Sequence, residues 1–232
     1  TISYINTITS FEPLCTNQQK KTPNCTTLTE MKSASVLGFL ASGGLAAAQT
    51  VQSKPFNLLV QSDSKELDGR ALGTCHSGAA IESICLLNDA KAVFNLNTTE
   101  GAQPGAGGLS GVLTWNLPSQ PPIPSSMSFY ADPSTNVALP LFYPGVDNAQ
   151  YVGFDADDLM NIVSYLDDTK SPPTGQTARV LKQWYVCTTY YTSYTYQTLT
   201  WVLGNAKPQN PSCVKVDVKR KFVEDSTEAK RI

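Results

Sequence analysis

Three groups of side chains in this 232-residue sequence could do chemistry: one histidine, a cluster of aspartates and a run of tyrosines. His76 is the only histidine, so a serine or cysteine hydrolase would have to be built on it. Its neighbour Ser77 is adjacent in the chain, where two side chains rarely reach the geometry of a nucleophile and its base. The chain also lacks a G-x-S-x-G segment. We therefore interpret His76 as a loop histidine that hydrogen-bonds locally, and we assign no catalytic residue.

Five aspartates lie close together in the chain: Asp155, Asp157, Asp158, Asp167 and Asp168. Paired carboxylates can hydrolyse a glycosidic bond, one as acid and one as base or nucleophile. Carboxylate oxygens also bind Ca²⁺, but this spacing is not that of an EF-hand loop. Because aspartate accepts backbone hydrogen bonds in turns, we favour a turn role over calcium binding or catalysis.

The tyrosines are the best candidates for ligand binding. The stretch 180–203 holds five of the ten tyrosines and two of the three tryptophans. Aromatic and β-branched residues favour strands, so we predict a long β-hairpin that turns near Thr192 and Ser193. Tyr191, Tyr194 and Tyr196 then lie around its tip, where a flat ring with a polar end suits a sugar or a protein partner. The alternative is that most of these rings pack in the core.

Four cysteines follow residue 48: Cys75, Cys85, Cys187 and Cys213. An even number in a secreted chain favours two disulfides, and we favour the pairs closest in sequence, Cys75–Cys85 and Cys187–Cys213. No CxxC or HxxxH spacing occurs, so we expect neither a metal site nor another cofactor.

The segment 31–48, MKSASVLGFLASGGLAAA, is typical of a secretory signal peptide, with a lysine, an apolar stretch and small residues at its end. We expect cleavage after Ala48. Residues 1–30 would then be a non-native extension from an over-extended gene model; the alternative is a genuine extension followed by an apolar helix. Asn97-Thr98-Thr99 is the only usable N-glycosylation sequon after residue 48, so Asn97 is a candidate glycosylation site.

Residues 49–232 carry 14 Lys and Arg against 17 Asp and Glu. This weak acidity argues against a nucleic-acid partner. No apolar run in this part is long enough to span a bilayer, so we expect no membrane segment in the mature form. We expect one domain over 49–223 and a charged, disordered tail over 224–232.

About ten short strands, separated by turn signals, are indicated along this domain. The pattern predicts an all-β fold, an antiparallel β-sandwich, with a closed barrel or a β-trefoil as alternatives. The clearest alternation is Val214 to Val218, where Val214, Val216 and Val218 are expected to face the core. The segment from Cys75 to Cys85 is expected to be a helical turn or a compact loop.

Three segments together resemble a family of secreted proteins from filamentous fungi that is known only as a domain of unknown function. They are LDGRALGTCHSGAAIESICL, WYVCTTYYTSYTYQTLTWVLG and PQNPSCVKVDV, and the resemblance covers roughly 55–223. The resemblance implies a fungal origin and an extracellular or cell-wall location. It transfers no catalytic residue.

The signal peptide, the sequon and the hairpin together favour a secreted, non-enzymatic protein that is wall-associated or binds cell-wall polysaccharide. One alternative is a secreted polysaccharide hydrolase that uses the Asp155–Asp168 cluster. Another is an effector or antigen that contacts host proteins. The oligomeric state does not follow from the sequence.

Overall fold

The strands of this protein arise from short stretches in which apolar and polar residues alternate, as in Phe56–Gln61, where every second side chain is buried. A computed structural model describes residues 49–88 and 92–224, which lie within one compact unit, Ala46–Ile232. The expected upstream extension, the signal peptide and nearly all of the tail lie outside the described residues. The described residues form fifteen β-strands and no α-helix: β1 (Thr50–Gln52), β2 (Phe56–Gln61), β3 (Leu72–Gly78), β4 (Ile81–Leu86), β5 (Asn95–Thr99), β6 (Leu109–Leu117), β7 (Ile123–Tyr130), β8 (Val137–Pro144), β9 (Tyr151–Phe154), β10 (Met160–Asp167), β11 (Thr174–Leu181), β12 (Trp184–Tyr191), β13 (Tyr194–Val202), β14 (Val214–Lys215) and β15 (Asp217–Phe222).

Two antiparallel sheets form a β-sandwich, as the sequence predicts. Thirteen strands make the large sheet, whose main order is β11-β10-β9-β6-β7-β8-β4-β13-β12-β14. Strands β1 and β5 branch from β6, and β3 pairs with β4. The second sheet contains β2 and β15. Neither described sheet closes on itself, so the closed-barrel and trefoil alternatives are wrong.

The core lies between the sheets and is centred on the two tryptophans of the β12–β13 hairpin. Trp184 is fully buried and Trp201 is 5% exposed, and their rings meet edge to face at 4.7 Å. The indole nitrogen of Trp184 donates to the Met160 carbonyl at 2.8 Å, so its polar atom is satisfied in the core. Phe56 and Val218 reach the same cluster from the second sheet.

The hairpin turn is where the sequence places it. Tyr191 pairs with Tyr194 across Thr192 and Ser193, and Trp184 pairs with Trp201 at the other end. Because side chains alternate between the two faces of a strand, the tryptophans point to the core, whereas Tyr191 and Tyr194 belong to the opposite face.

Both favoured disulfides are present. Cys75 and Cys85 join the neighbouring strands β3 and β4, and Cys187 and Cys213 join β12 to the segment before β14. The second bridge closes a loop of 26 residues and stabilises the fold by about 3.5 kcal/mol in the chain-entropy account.

The segment from Cys75 to Cys85 is the main error in the sequence-based description. It forms the hairpin β3–β4, with Ala80 at a positive φ of 56° in the turn, and not a helical turn or compact loop. The physical reason is that the segment forms its hydrogen bonds between β3 and β4, across the hairpin. Cys75 pairs with Ser83, and the Ser77 and Ser83 hydroxyls share a buried hydrogen bond of 2.7 Å.

Val214 is a second residue for which the structure differs from the sequence-based prediction. Val216 and Val218 are buried as expected, but Val214 is 40% exposed. It lies on β14, the last strand of the large sheet, so no further strand among the described residues covers its outer flank.

The glycine-rich stretch 101–111 includes the start of β6. Gly108 has a φ of +84°, and a Cβ atom there would lie 1.9 Å from the Phe154 carbonyl oxygen. Only glycine allows this backbone approach between the start of β6 and β9.

Candidate ligand-binding groove

The tip of the β12–β13 hairpin reaches over the outward face of the large sheet. The Thr192 hydroxyl donates to the Ser77 carbonyl, at the end of β3, at 2.8 Å. The Tyr191 ring lies 5.0 Å from the ring of Tyr130, at the end of β7, in an edge-to-face arrangement. The tip is therefore held at two points by strands that precede it by many residues.

A groove of about 730 Å³ lies between this tip, the β7–β8 turn and the loop that follows β13. We call it the tyrosine groove. Its size is in the range of small-molecule sites, which combine apolar walls with a few placed polar groups. The lining residues are Tyr130, Asp132, Ser134, Thr135, Val137, Leu139, Thr188, Thr189, Tyr190, Tyr191, Thr192 and Asn210.

One carboxylate lies in the tyrosine groove and is fixed by its own turn. Asp132 accepts a hydrogen bond from the Ser134 backbone N–H at 2.8 Å and another from the Tyr130 hydroxyl at 3.3 Å. The hydrogen bonds from Ser134 lower the pKa of Asp132, so the carboxylate is charged and remains an acceptor. It can accept hydrogen bonds from ligand hydroxyl groups beside the tyrosine rings.

Two phenols near the groove, Tyr130 and Tyr143, stay protonated because their pKa values are raised. The Asp132 charge raises the pKa of Tyr130. Burial raises the pKa of Tyr143, and the nearby Tyr191 hydroxyl raises it further. Neutral phenols present an apolar ring face and a hydroxyl that both donates and accepts, which suits a ligand with both apolar and hydroxyl surface.

Of the three tyrosines singled out in the sequence, only Tyr191 lines this groove. Tyr194 and Tyr196 stack on each other with ring centres 5.9 Å apart. The His76 ring meets Tyr194 edge to face at 5.4 Å, and its Nδ1 atom lies 3.3 Å from Glu82 Oε1. These rings form a separate cluster. His76 lies on β3 and not in the loop expected for it, although its contact with Glu82 is local, across the hairpin to β4.

Tyr130 supplies the second ring of the groove's aromatic pair and Asp132 supplies its carboxylate, and the sequence singles out neither. The turn signal Asp132-Pro133-Ser134 is visible in the sequence, but nothing in it places this turn beside Tyr191. That proximity depends on how the hairpin tip crosses the sheet.

The aspartates of the 155–168 region make turns and ion pairs. Asp155 Oδ1 accepts from the backbone N–H groups of Asp157 and Leu159 at 3.0 and 2.9 Å, while its Oδ2 pairs with Lys182 at 2.6 Å. Asp158 pairs with Arg220 at 2.6 Å. Asp167 accepts from Thr169 at 2.6 Å and pairs with Lys170 at 3.2 Å. In the described part of the chain, no group of three or more histidine, cysteine or acidic residues is arranged to hold a metal ion.

Replacement of Asp155 by asparagine should lower the free energy of unfolding by about 1 kcal/mol at pH 7, because it removes the ion pair with Lys182. Burial raises the pKa of Asp155, but the hydrogen bonds from Lys182, Leu159 and Asp157 outweigh it and hold the pKa below 3.8. Because the pKa of Asp155 is lower in the folded state, this stabilisation is fully present at pH values above the pKa of the unfolded state. It is lost as the pH falls through the pKa of the folded state. Urea unfolding of both proteins at pH 7 and pH 3 should show the difference shrinking at pH 3. An equal difference at both pH values would contradict this assignment.

Asn97 lies in the middle of β5 and is half-buried. Its Oδ1 atom accepts a hydrogen bond from Gln52 at 3.2 Å. The sequon is therefore part of a strand of the large sheet.

A second concavity, of about 620 Å³, lies between the second sheet, β2 and β15, and the segments 69–71 and 87–88, and it includes Arg70, Asn88 and Lys221. The Arg70 guanidinium donates to the Asn88 side chain at 2.9 Å, so this cation already has a partner. The concavity offers one aromatic ring, Phe222, whereas the tyrosine groove offers three. The tyrosine groove is the better candidate for a ligand with extended apolar faces.

Comparison with known proteins adds a family but no activity. Neither the curated proteins nor the solved structures give a significant match to the chain. Within the described residues, no helix is long and apolar enough to cross a membrane. A family match covers residues 53–222, close to the range of the resemblance seen in the sequence. The chain therefore belongs to the family defined by the domain of unknown function DUF7907.

Proposed function

We propose that this protein is secreted, has no enzymatic activity of its own, and binds cell-wall polysaccharide through the tyrosine groove. The observation that carries the proposal is the groove itself, with the rings of Tyr130 and Tyr191 5.0 Å apart and the Asp132 carboxylate beside them. Sugars have one apolar face and a rim of hydroxyl groups. Amphipathic rings next to a fixed acceptor match both features.

The two disulfides are compatible with an extracellular location, because such bonds persist in oxidising compartments. The signal peptide expected at 31–48 supports the same location. The resemblance to secreted fungal proteins extends the proposal to association with a fungal cell wall.

The hydrolase alternative has less support. A glycosidase needs one carboxyl group that is protonated at working pH, and so has a raised pKa. The pKa values of Asp155 and Asp167 are instead lowered. Asp155, Asp158 and Asp167 each have a basic partner within 3.2 Å, which suits structural turns better than acid catalysis.

The test is co-sedimentation of the purified protein with insoluble chitin, β-glucan and cellulose, followed by assay of the supernatant for released sugar. Retention on one polysaccharide, saturable and without release, is the expected result. Release of sugar would favour the hydrolase and direct attention to the aspartates. If the protein is not retained and no sugar is released, the proposal is overturned, and a protein that contacts host proteins is favoured.

A further inference from the structure

The sequon asparagine belongs to a row of side chains that crosses four strands. In the register of the large sheet, Gln52 pairs with Asn97, Asn97 with Val112, and Val112 with Tyr151. Residues paired across antiparallel strands point to the same face, so these four side chains share the outward face. The inward neighbours Leu96, Leu113 and Val152 are buried in the core, which fixes the orientation of the row.

The far end of this row is an apolar surface with no described residue over it. Tyr151 is 55% exposed and Val146, in the loop before β9, is 65% exposed. Together with Asn97 and Val112 they line a concavity of about 510 Å³. Since neighbouring strands are about 4.8 Å apart, Tyr151 lies about 10 Å from Asn97, two strands away.

The Asn97 side chain is arranged to leave its nitrogen for substitution. The hydrogen bond from Gln52 is accepted by the Oδ1 atom and does not use Nδ2. Thr99, the hydroxyl residue of the sequon, lies two residues further along β5 and therefore on the same face. An oligosaccharide on Nδ2 would start above the row and could extend over Val112 towards Tyr151.

We propose that Asn97 carries an N-linked glycan whose first sugars lie across Val112 and pack against Tyr151 and Val146. This goes beyond the proposed function and rests only on its secretory location. The donor is a lipid-linked oligosaccharide diphosphate in the secretory pathway. The bond from the anomeric carbon to the diphosphate oxygen breaks, the bond from that carbon to Nδ2 forms, the amide loses one proton, and the lipid diphosphate leaves. The glycan then covers an apolar surface that would otherwise face water.

The test expresses the full chain behind a host secretion signal in a eukaryotic cell, as wild type and as Thr99→Ala, which removes the sequon but keeps Asn97. Mass spectrometry should find a glycan on Asn97 in wild type and none in Thr99→Ala. Site-resolved chemical modification of tyrosines should then be severalfold slower at Tyr151 in wild type than in the variant. Tyr165, which is 64% exposed and outside the row, is the internal control and should react equally in both.

Enzymatic removal of the glycan from folded wild-type protein provides a second comparison that does not depend on how the variant folds. It should restore the reactivity of Tyr151 and leave that of Tyr165 unchanged. Absence of sugar on Asn97 would overturn the proposal, and so would a glycan that leaves Tyr151 as reactive as in the bare protein. Polysaccharide binding by the tyrosine groove is measured independently, so either result is separable from failure of the proposed function.

Discussion

Replacement of Trp184 by alanine should lower the free energy of unfolding by about 3–5 kcal/mol, the largest stability effect expected from one substitution in this chain. Trp184 is fully buried and packs edge to face on Trp201 at 4.7 Å. The substitution would leave a large cavity between the two sheets. It would also leave the Met160 carbonyl without the indole N–H that now lies 2.8 Å away.

Guanidinium unfolding followed by far-ultraviolet circular dichroism measures this effect. Because a domain is stable by only about 5–15 kcal/mol, Trp184→Ala could be largely unfolded, so Trp184→Phe is the second variant. It keeps most of the ring and should show an intermediate loss. Trp115, which packs on the core but is only partly buried, is the matched control, and Trp115→Ala should cost less. A loss of under about 1 kcal/mol for Trp184→Ala would contradict the view that the fold is centred on this hairpin.

Replacement of Tyr191 or Tyr130 by alanine should weaken polysaccharide binding about tenfold or more. Aromatic anchors that a ligand covers typically contribute about 2 kcal/mol or more, which is about thirtyfold in affinity, so a tenfold loss is the least that we expect. Each substitution removes one ring of the pair whose centres are 5.0 Å apart. Tyr191→Phe keeps the ring face and loses only the hydroxyl, so it should retain most of the affinity.

Tyr196→Ala is the matched control for the groove. Tyr196 is the same residue type, belongs to the same hairpin and shares the outward face, but it stacks on Tyr194 outside the groove. Affinities come from depletion isotherms with the polysaccharide that retains the wild-type protein, and circular dichroism verifies that each variant is folded. Equal loss of affinity in Tyr196→Ala and Tyr191→Ala would place the ligand elsewhere on the hairpin.

Local pattern in the sequence was enough to predict the β12–β13 hairpin, its turn and both disulfide pairs. The hairpin is predictable because its aromatic and β-branched residues have few other structures in which to pack. The disulfides are predictable because each joins cysteines within 26 residues of each other. Val216 and Val218 are buried as their alternation indicates, since they lie between the two sheets.

The features that were missed depend on contacts between distant parts of the chain. The cysteine-rich segment 75–85 has small residues in its middle and no strong alternation, and it is a hairpin because β4 is paired on both sides, with β3 and β8. Val214 is exposed because of where β14 ends the sheet. The tyrosine groove needs Tyr130 beside Tyr191, two residues 61 positions apart whose contact no local pattern encodes.

Amide chemical-shift mapping shows whether a ligand enters the tyrosine groove. The protein is titrated with a soluble oligosaccharide of the polysaccharide that retains it, and shifts are assigned along the chain. The largest changes should occur around Tyr130, Asp132, Tyr191 and Asn210, which surround the groove. Saturable changes confined to the Tyr194, Tyr196 and His76 cluster, or to the aspartates of 155–168, would contradict it.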